Sequence, residues 1–589
     1  MIDFRNVNTL WTSILVETLC RCGLKTAVIC PGSRSTPLTV AFASHPEITT
    51  IPILDERSAA FFALGRGKKT GLPTVLVCTS GTAGANFYPA VIEAKESSIP
   101  LIILTADRPP ELRNCHAGQT IDQIKLYGNL PNWQCELAVA EANLSMLRYL
   151  RQNVIQVWRQ SLLPSPGVVH LNIPLREPLA PIKQPLGEIT GQLMKSVAAR
   201  DAGSHDQLTP DFFDGVEEIS KSSISNTVNI SLPWHSWLGK SGIIIAGLAQ
   251  PPDPEAYCQA IALLSQRLSF PVLAEALSPL RNYARLNPYL ISTYDAILRQ
   301  MELKQLIPEV VIQIGELPTS KQLRHWLQET DVTRWIIDPK IDNFDPLHGK
   351  SIHLNLAWSQ ITDEILPESN SSLPTSYCQH WCELESVTRS NLDHTLASLE
   401  YLYEGKAAWL ISQTLPPGTP IFLANSMSVR HAEFFWQPNN RQIVPFFSRG
   451  ANGIDGTLST ALGMAYQDAG VLLTGDLALL HDTNGFLISQ KFQGHLTIIV
   501  INNNGGGIFG MLSIADFPQF EEYFATPQAV DLSQLCRAYG IEHHPIDNWQ
   551  QLSELMTNLP SQGIRVLELK CDRSWDATWL SSNMTKFSM

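Results

Sequence analysis

Short, nearly unbroken apolar runs recur along the chain, and amphipathic stretches separate them. The runs fall at 26–30, 73–79, 101–105 and 167–173, then at 242–247, 271–274, 310–314 and 334–338. The last group is 420–424, 471–474, 497–501 and 565–569. Runs this short and this continuously apolar predict strands covered on both faces, as in parallel sheets layered with helices. The alternation predicts an α/β protein of three blocks, each a mostly parallel sheet flanked by helices. A Ser/Gly/Asp-rich passage over 186–240 separates block 1–185 from block 241–365, and a Ser/Pro-rich linker over 366–378 precedes block 379–589. No repeat at solenoid spacing is visible.

The third block carries the sharpest chemical signal. Gly475-Asp476 follows one apolar run, and Asn502-Asn503-Asn504-Gly505 follows the next. The stretch between them predicts about five turns of helix. Strand, helix and strand of this length make a parallel pair, so Asp476 and Asn503 should finish side by side past the carboxyl ends of their strands. A carboxylate, an amide oxygen and the Gly505 carbonyl are hard ligands, suited to Mg²⁺ completed by phosphate and water. Either piece alone is ordinary turn chemistry. The first strand of the middle block leads into no G-x-G-x-x-G, so no dinucleotide is indicated there.

Composition narrows the field. The 589 residues carry a formal charge of −13 with no basic run, which argues against nucleic acid. An anionic substrate would therefore need arginines and lysines placed locally. Eleven scattered cysteines show no zinc spacing and fit a reducing, cytoplasmic setting. No apolar run approaches a membrane span.

The Gly-Asp…Asn-Asn pair resembles the diphosphate motif of thiamine diphosphate enzymes. The resemblance implies that Gly475, Asp476, Leu477, Asn503, Gly505 and Ile508 contact the cofactor, with Asp476, Asn503 and Gly505 holding Mg²⁺, or Mn²⁺ in its place. It also implies a glutamate on the cofactor's aminopyrimidine ring. Glu56 is the match, at the start of an Ala/Phe-rich helix where an acidic residue is also ordinary helix chemistry. The glycine turn in Val75-Leu76-Val77-Cys78-Thr79-Ser80-Gly81-Thr82 is similar to the cofactor-facing turn of that superfamily, and Ile454 matches its cofactor-supporting residue. The implied layout is a pyrimidine domain, a nucleotide-fold-like central domain and a diphosphate domain, assembled as a homodimer or homotetramer.

Further segments resemble one family within that group. They are Cys30-Pro31-Gly32-Ser33-Arg34-Ser35-Thr36-Pro37, Thr105-Ala106-Asp107-Arg108-Pro109-Pro110, Gly118-Gln119-Thr120, Asn425-Ser426-Met427-Ser428-Val429-Arg430 and Ser448-Arg449-Gly450-Ala451-Asn452-Gly453. The family makes 2-succinyl-5-enolpyruvyl-6-hydroxy-3-cyclohexene-1-carboxylate in the menaquinone and phylloquinone pathways. The resemblance implies a transferase of the carboligase type. It would decarboxylate 2-oxoglutarate, with Glu56 activating the cofactor, and pass the succinyl unit to isochorismate. It places Arg34, Arg108, Gln119, Lys321, Ser426, Arg430 and Arg449 in the substrate pocket, although Gln322 stands where some relatives have arginine. Both substrates carry two carboxylates, which guanidinium forks bind bidentately. Another thiamine diphosphate decarboxylase or carboligase would share Glu56 and the clamp without needing these arginines. A non-catalytic binding protein would tolerate loss of Glu56.

Overall fold

The structure is a computed structural model describing residues 2–184, 210–217, 232–299, 306–364 and 374–588. It contains three six-stranded sheets, and every strand pairing in them is parallel. The first holds β1 (Thr26–Ile29), β2 (Thr49–Pro52), β3 (Thr74–Cys78), β4 (Leu101–Asp107), β5 (Trp133–Glu136) and β6 (Val168–Pro174), ordered 2-1-3-4-6-5. The second holds β7 (Gly242–Ala246), β8 (Val272–Ala274), β9 (Leu290–Ile291), β10 (Val310–Ile314), β11 (Arg334–Ile337) and β12 (Ser351–Leu354), ordered 12-11-10-7-8-9. That is the doubly wound order of nucleotide folds. The third holds β13 (Pro420–Leu423), β14 (Val444–Phe446), β15 (Ala469–Gly475), β16 (His495–Asn502), β17 (Glu542–Ile546) and β18 (Gly563–Lys570), ordered 14-13-15-16-18-17. Its order repeats that of the first sheet strand for strand.

The central strands are buried along their whole length: β3, β4, β6, β7 and β10 have no exposed residue. Helices cover them for reasons written in the sequence. In Leu144–Leu162, the buried residues Leu147, Leu150, Val154, Val157, Trp158, Ser161 and Leu162 return every three or four positions. Asn143 starts that helix by accepting from the N–H groups of Ser145 and Met146. No described helix is long and apolar enough to cross a membrane.

Two compact units emerge. One comprises Met1–Asn226, Ser448–Met464 and Asp482–Gln490; the other comprises Thr227–Phe447, Ala465–His481 and Lys491–Met589. Most of the expected 186–240 passage and much of the 366–378 linker lie outside the described residues. Within the former, Pro210–Phe213 form a 3₁₀ turn, and Phe212 and Phe213 are buried in the first core. Ser376 already begins a 23-residue helix.

One expectation is corrected. In place of about five helical turns between Gly475 and Asn502, the chain makes a six-residue helix, Asp476–His481, then a 3₁₀ stretch, Thr483–Lys491. Asp482 ends the helix because its fully buried carboxylate is taken by Ser459, from the backbone N–H at 2.7 Å and the hydroxyl at 3.0 Å. Thr483, Asn484 and Gly485, which follow, are weak helix formers.

Within the first unit, the helices Glu56–Thr70 and Thr457–Ala465 meet backbone to backbone. A Cβ on Gly65 would stand 2.0 Å from the Thr460 carbonyl oxygen, and one on Gly463 would stand 2.0 Å from that of Phe62. Gly65→Ala is expected to destabilise this unit by about 1–3 kcal/mol, read as a lower urea midpoint. Gly118→Ala, whose added methyl meets nothing within 4 Å, is the neutral control.

Candidate active site

In sheets ordered 2-1-3-4-6-5, the connections reverse direction between the first and third strands, and ligands bind past the carboxyl ends at such a point. In the third sheet those ends lead to Asn425-Ser426 after β13 and to Asp476 after β15. β15 and β16 run parallel with Gly475 opposite Ile501, which carries Asp476 and Asn503 to the same edge as expected. The Asp476 carboxylate is held by two backbone N–H groups, Leu477 on Oδ1 and Gly505 on Oδ2, each at 2.8 Å. Burial nonetheless raises its pKa, with those hydrogen bonds pulling the other way. A cation at the carboxylate would supply the missing compensation.

Asn503 donates from Nδ2 to Oε2 of Glu404 at 2.8 Å, which leaves its amide oxygen for a ligand. Gly505 has φ +136°, and a Cβ there would lie 2.4 Å from the Ala525 carbonyl oxygen, so only glycine fits. Its own carbonyl accepts from Gly507 at 2.9 Å and keeps a second lone pair. One buried carboxylate, one oriented amide oxygen and one carbonyl fit a hard divalent cation. Leu477 and Ile508 flank this turn, both half-buried.

At the equivalent switch point of the first sheet stand Arg34, after β1, and Ser80-Gly81, after β3. Arg108, just past β4, donates to the Ser80 hydroxyl and, at 3.1 Å, to the Gln119 carbonyl. Gln119 in turn donates to the Ser80 carbonyl at 2.9 Å. Arg34 donates to the Leu175 carbonyl at 2.9 Å and lies 3.4 Å from the exposed Glu177. Its Nε is buried without a partner among the described residues. Burial and then the nearby Arg34 charge lower the Arg108 pKa. Two guanidiniums this close repel each other, a state an anion relieves.

Glu56 opens the helix Glu56–Thr70, whose cap Asp55 accepts from Ser58 N–H at 2.9 Å and from Asn484 at 2.8 Å. Its own half-exposed side chain makes no hydrogen bond or ion pair among the described residues. Arg449 and Ile454 lie on a loop held by Glu93, which accepts from the N–H groups of Gly450 at 3.2 Å and Ala451 at 2.7 Å. Ser426 takes a left-handed φ of +67° at the start of helix Met427–Phe435, and Arg430 folds back onto its carbonyl at 2.6 Å. That helix is anchored by buried Glu433, 3.1 Å from fully buried Arg281 and bonded to the Ala276 N–H at 2.7 Å. Lys321 begins helix Lys321–Thr330 as an exposed residue, and no described contact joins it to the other expected residues.

Residues 11–126 match the thiamine pyrophosphate enzyme N-terminal TPP binding domain, 218–423 the thiamine pyrophosphate middle domain, and 425–568 the C-terminal TPP binding domain. The 2-succinyl-5-enolpyruvyl-6-hydroxy-3-cyclohexene-1-carboxylate synthase of Gloeothece citriformis is 61% identical over 100% of both chains. The synthase of the same name from Trichodesmium erythraeum is 59% identical over 100% of this chain and 99% of its own. The chain belongs to this synthase family. A solved structure described as a thiamin diphosphate-dependent enzyme from Mycobacterium smegmatis shares the fold, with TM-score 0.64, 16% identity and coverage of 95% and 99% of the two chains.

Two acidic neighbours of the expected site residues were missed in the sequence. Glu93 sits mid-helix among apolar residues and gave no signal. Glu404 reads as an acid in a helix's first turn, yet it is 5% exposed behind the clamp. Burial raises its pKa to about 7, with Asn503 lowering it and Asp476 raising it. His431 Nε2 lies 3.5 Å away, and burial pushes that ring's pKa down to about 3, so it is neutral. Asp576, 1% exposed, is pushed to about 8 by burial and then by Glu404.

The native chain therefore holds a proton on Asp576 that the unfolded chain, with an ordinary carboxylate pKa of about 4, has released. Stability from this group falls as pH rises between those values. Asp576→Asn in the cofactor-free protein is expected to raise the thermal midpoint at pH 8, with the gain shrinking towards pH 5.

Proposed function

We propose that the enzyme decarboxylates 2-oxoglutarate and transfers the succinyl unit to isochorismate, releasing CO₂ and 2-succinyl-5-enolpyruvyl-6-hydroxy-3-cyclohexene-1-carboxylate. Thiamine diphosphate, when bound, supplies the electron sink that decarboxylation requires. Asp476, Asn503 and Gly505 would hold Mg²⁺, or Mn²⁺, against its diphosphate, with Gly475, Leu477, Ile508 and Ile454 around the cofactor. Glu56 would share a proton between its carboxyl oxygen and a ring nitrogen of the aminopyrimidine, which its unengaged side chain allows.

The observation that carries the substrate reading is Arg108, just past β4, bonded to Ser80 and to Gln119 and opposed by the charge of Arg34 after β1. A buried orphan N–H and two mutually repelling guanidiniums favour a dicarboxylate over a neutral ligand. By family resemblance Arg430, Arg449, Ser426 and Lys321 would also serve the two substrates, which carry two carboxylates each. We further propose a homodimer or homotetramer in which Glu56 of one protomer serves the clamp of its partner. All eleven cysteines are free thiols, which supports a cytoplasmic setting.

The test follows isochorismate loss with thiamine diphosphate and Mg²⁺, with and without 2-oxoglutarate, and identifies the product by mass. Loss that needs both, with a succinyl adduct, is expected; CO₂ release without an adduct would overturn the carboligation. Glu56→Gln is expected to lower turnover by on the order of 10²–10⁴-fold while retaining cofactor in equilibrium dialysis. Mixing it with Asp476→Ala should restore activity that neither variant has alone. Arg108→Ala should cost on the order of 10–100-fold in kcat/KM, the value of a charged hydrogen bond.

A further inference from the structure

We infer that Glu404 is a positioning residue for the cation site: it dictates which end of the Asn503 amide faces the ligand, and so sets divalent-cation affinity. The inference rests on the clamp of Asp476, Asn503 and Gly505 proposed above. A carboxamide has two ends of nearly equal shape, and only the oxygen ligates a cation. In water such a side chain turns freely. Here Asn503 is 7% exposed and Glu404 5%, so solvent offers little competition for the amide. The 2.8 Å bond from Asn503 Nδ2 to Glu404 Oε2 makes that oxygen the acceptor, whatever the other oxygen carries. With Oε2 unprotonated, the reverse orientation would press two acceptors together.

Glu404 can impose this because it cannot move. It opens helix Glu404–Thr414, whose Ala407, Ala408 and Ile411 are buried in the core with Ile421 and Leu423 of β13 and Val471 and Leu473 of β15. The next residue, Gly405, is packed so closely that a Cβ would stand 2.5 Å from the Phe435 ring and 2.6 Å from that of Tyr403. An acid serving only the helix dipole would face water, where such charges normally sit. Outer contacts of this type orient ligands, and their loss typically costs 10–100-fold in metal affinity.

The experiment measures Mn²⁺ binding to the full-length protein with saturating thiamine diphosphate, from the free-ion electron paramagnetic resonance signal. Glu404→Gln keeps an oxygen acceptor at full reach and removes the charge. Glu404→Asp keeps the charge and withdraws the acceptor by one methylene. The expected result is a Gln variant within about threefold of the parent and an Asp variant on the order of 10–100-fold weaker. Parent-like binding by the Asp variant overturns the inference. So does a Gln variant tenfold weaker, since charge rather than orientation would then be at work, and this arm decides even if the Asp variant fails to fold. Asp476→Ala separates the two levels. Undiminished Mn²⁺ binding in that variant removes the clamp itself, whereas its loss alongside a parent-like Asp variant removes only the role of Glu404.

Discussion

The parallel register of β15 on β16 is the constraint on which the clamp depends. Asp476 and Asn503 are far apart in sequence and carry no mutual attraction. They share an edge because Ala469 through Gly475 pair with His495 through Ile501 without interruption. Both strands are buried along almost their whole length, at the middle of the sheet, so the pairing is set by the core rather than by the polar residues it positions. The same pairing lets the Gly505 N–H reach the Asp476 carboxylate. Hydrophobic patterning thus brings a carboxylate and an amide to one edge of the sheet.

Two sheets of identical strand order place different chemistry at the same topological position. Past β1 and β3 the first sheet presents guanidinium and hydroxyl groups; past β13 and β15 the third presents Ser426 and a carboxylate. Nothing in the sequence announces this repetition, because order is a property of connections rather than of side chains. Three residues of the expected site segments, Gln119, Ser426 and Asn504, adopt positive φ although none is glycine. Such conformations persist only where surrounding structure over-determines them, and they recur at ligand sites. Here they aim Gln119 at Ser80 and start the helix that carries Arg430.

Central strands were legible in the sequence because both their faces are buried, which leaves a continuous apolar run. The edge strands were not. β17 reads Glu542-His543-His544-Pro545-Ile546 and β5 reads Trp133-Gln134-Cys135-Glu136, and neither lies wholly in the core. Their strand state is imposed by a neighbour's exposed edge, which local pattern does not encode. The missing helix between Asp476 and Asn502 has a similar origin, since Ser459, remote in sequence, captures Asp482. The motif spacing foretold that Asp476 and Asn503 reach one edge of the sheet, whereas the contacts of Glu404 and Glu93 were invisible because their partners arrive only on folding.

A chain with thirteen excess negative charges must still admit anions. Exposed charges are screened beyond roughly 8–10 Å at physiological salt, so the surface opposes binding weakly at contact range. Inside the site the balance reverses. Arg34 and Arg108 are partly desolvated, close enough to repel, and incompletely satisfied by the protein. A carboxylate bound there would gain hydrogen bonds and relieve that repulsion. At the proposed cation site the sign is opposite: the Asp476 carboxylate is buried beyond what its two hydrogen bonds compensate, and a cation there would restore the balance. Packing thus holds each proposed site in an electrostatic state that a ligand of the opposite charge would relieve.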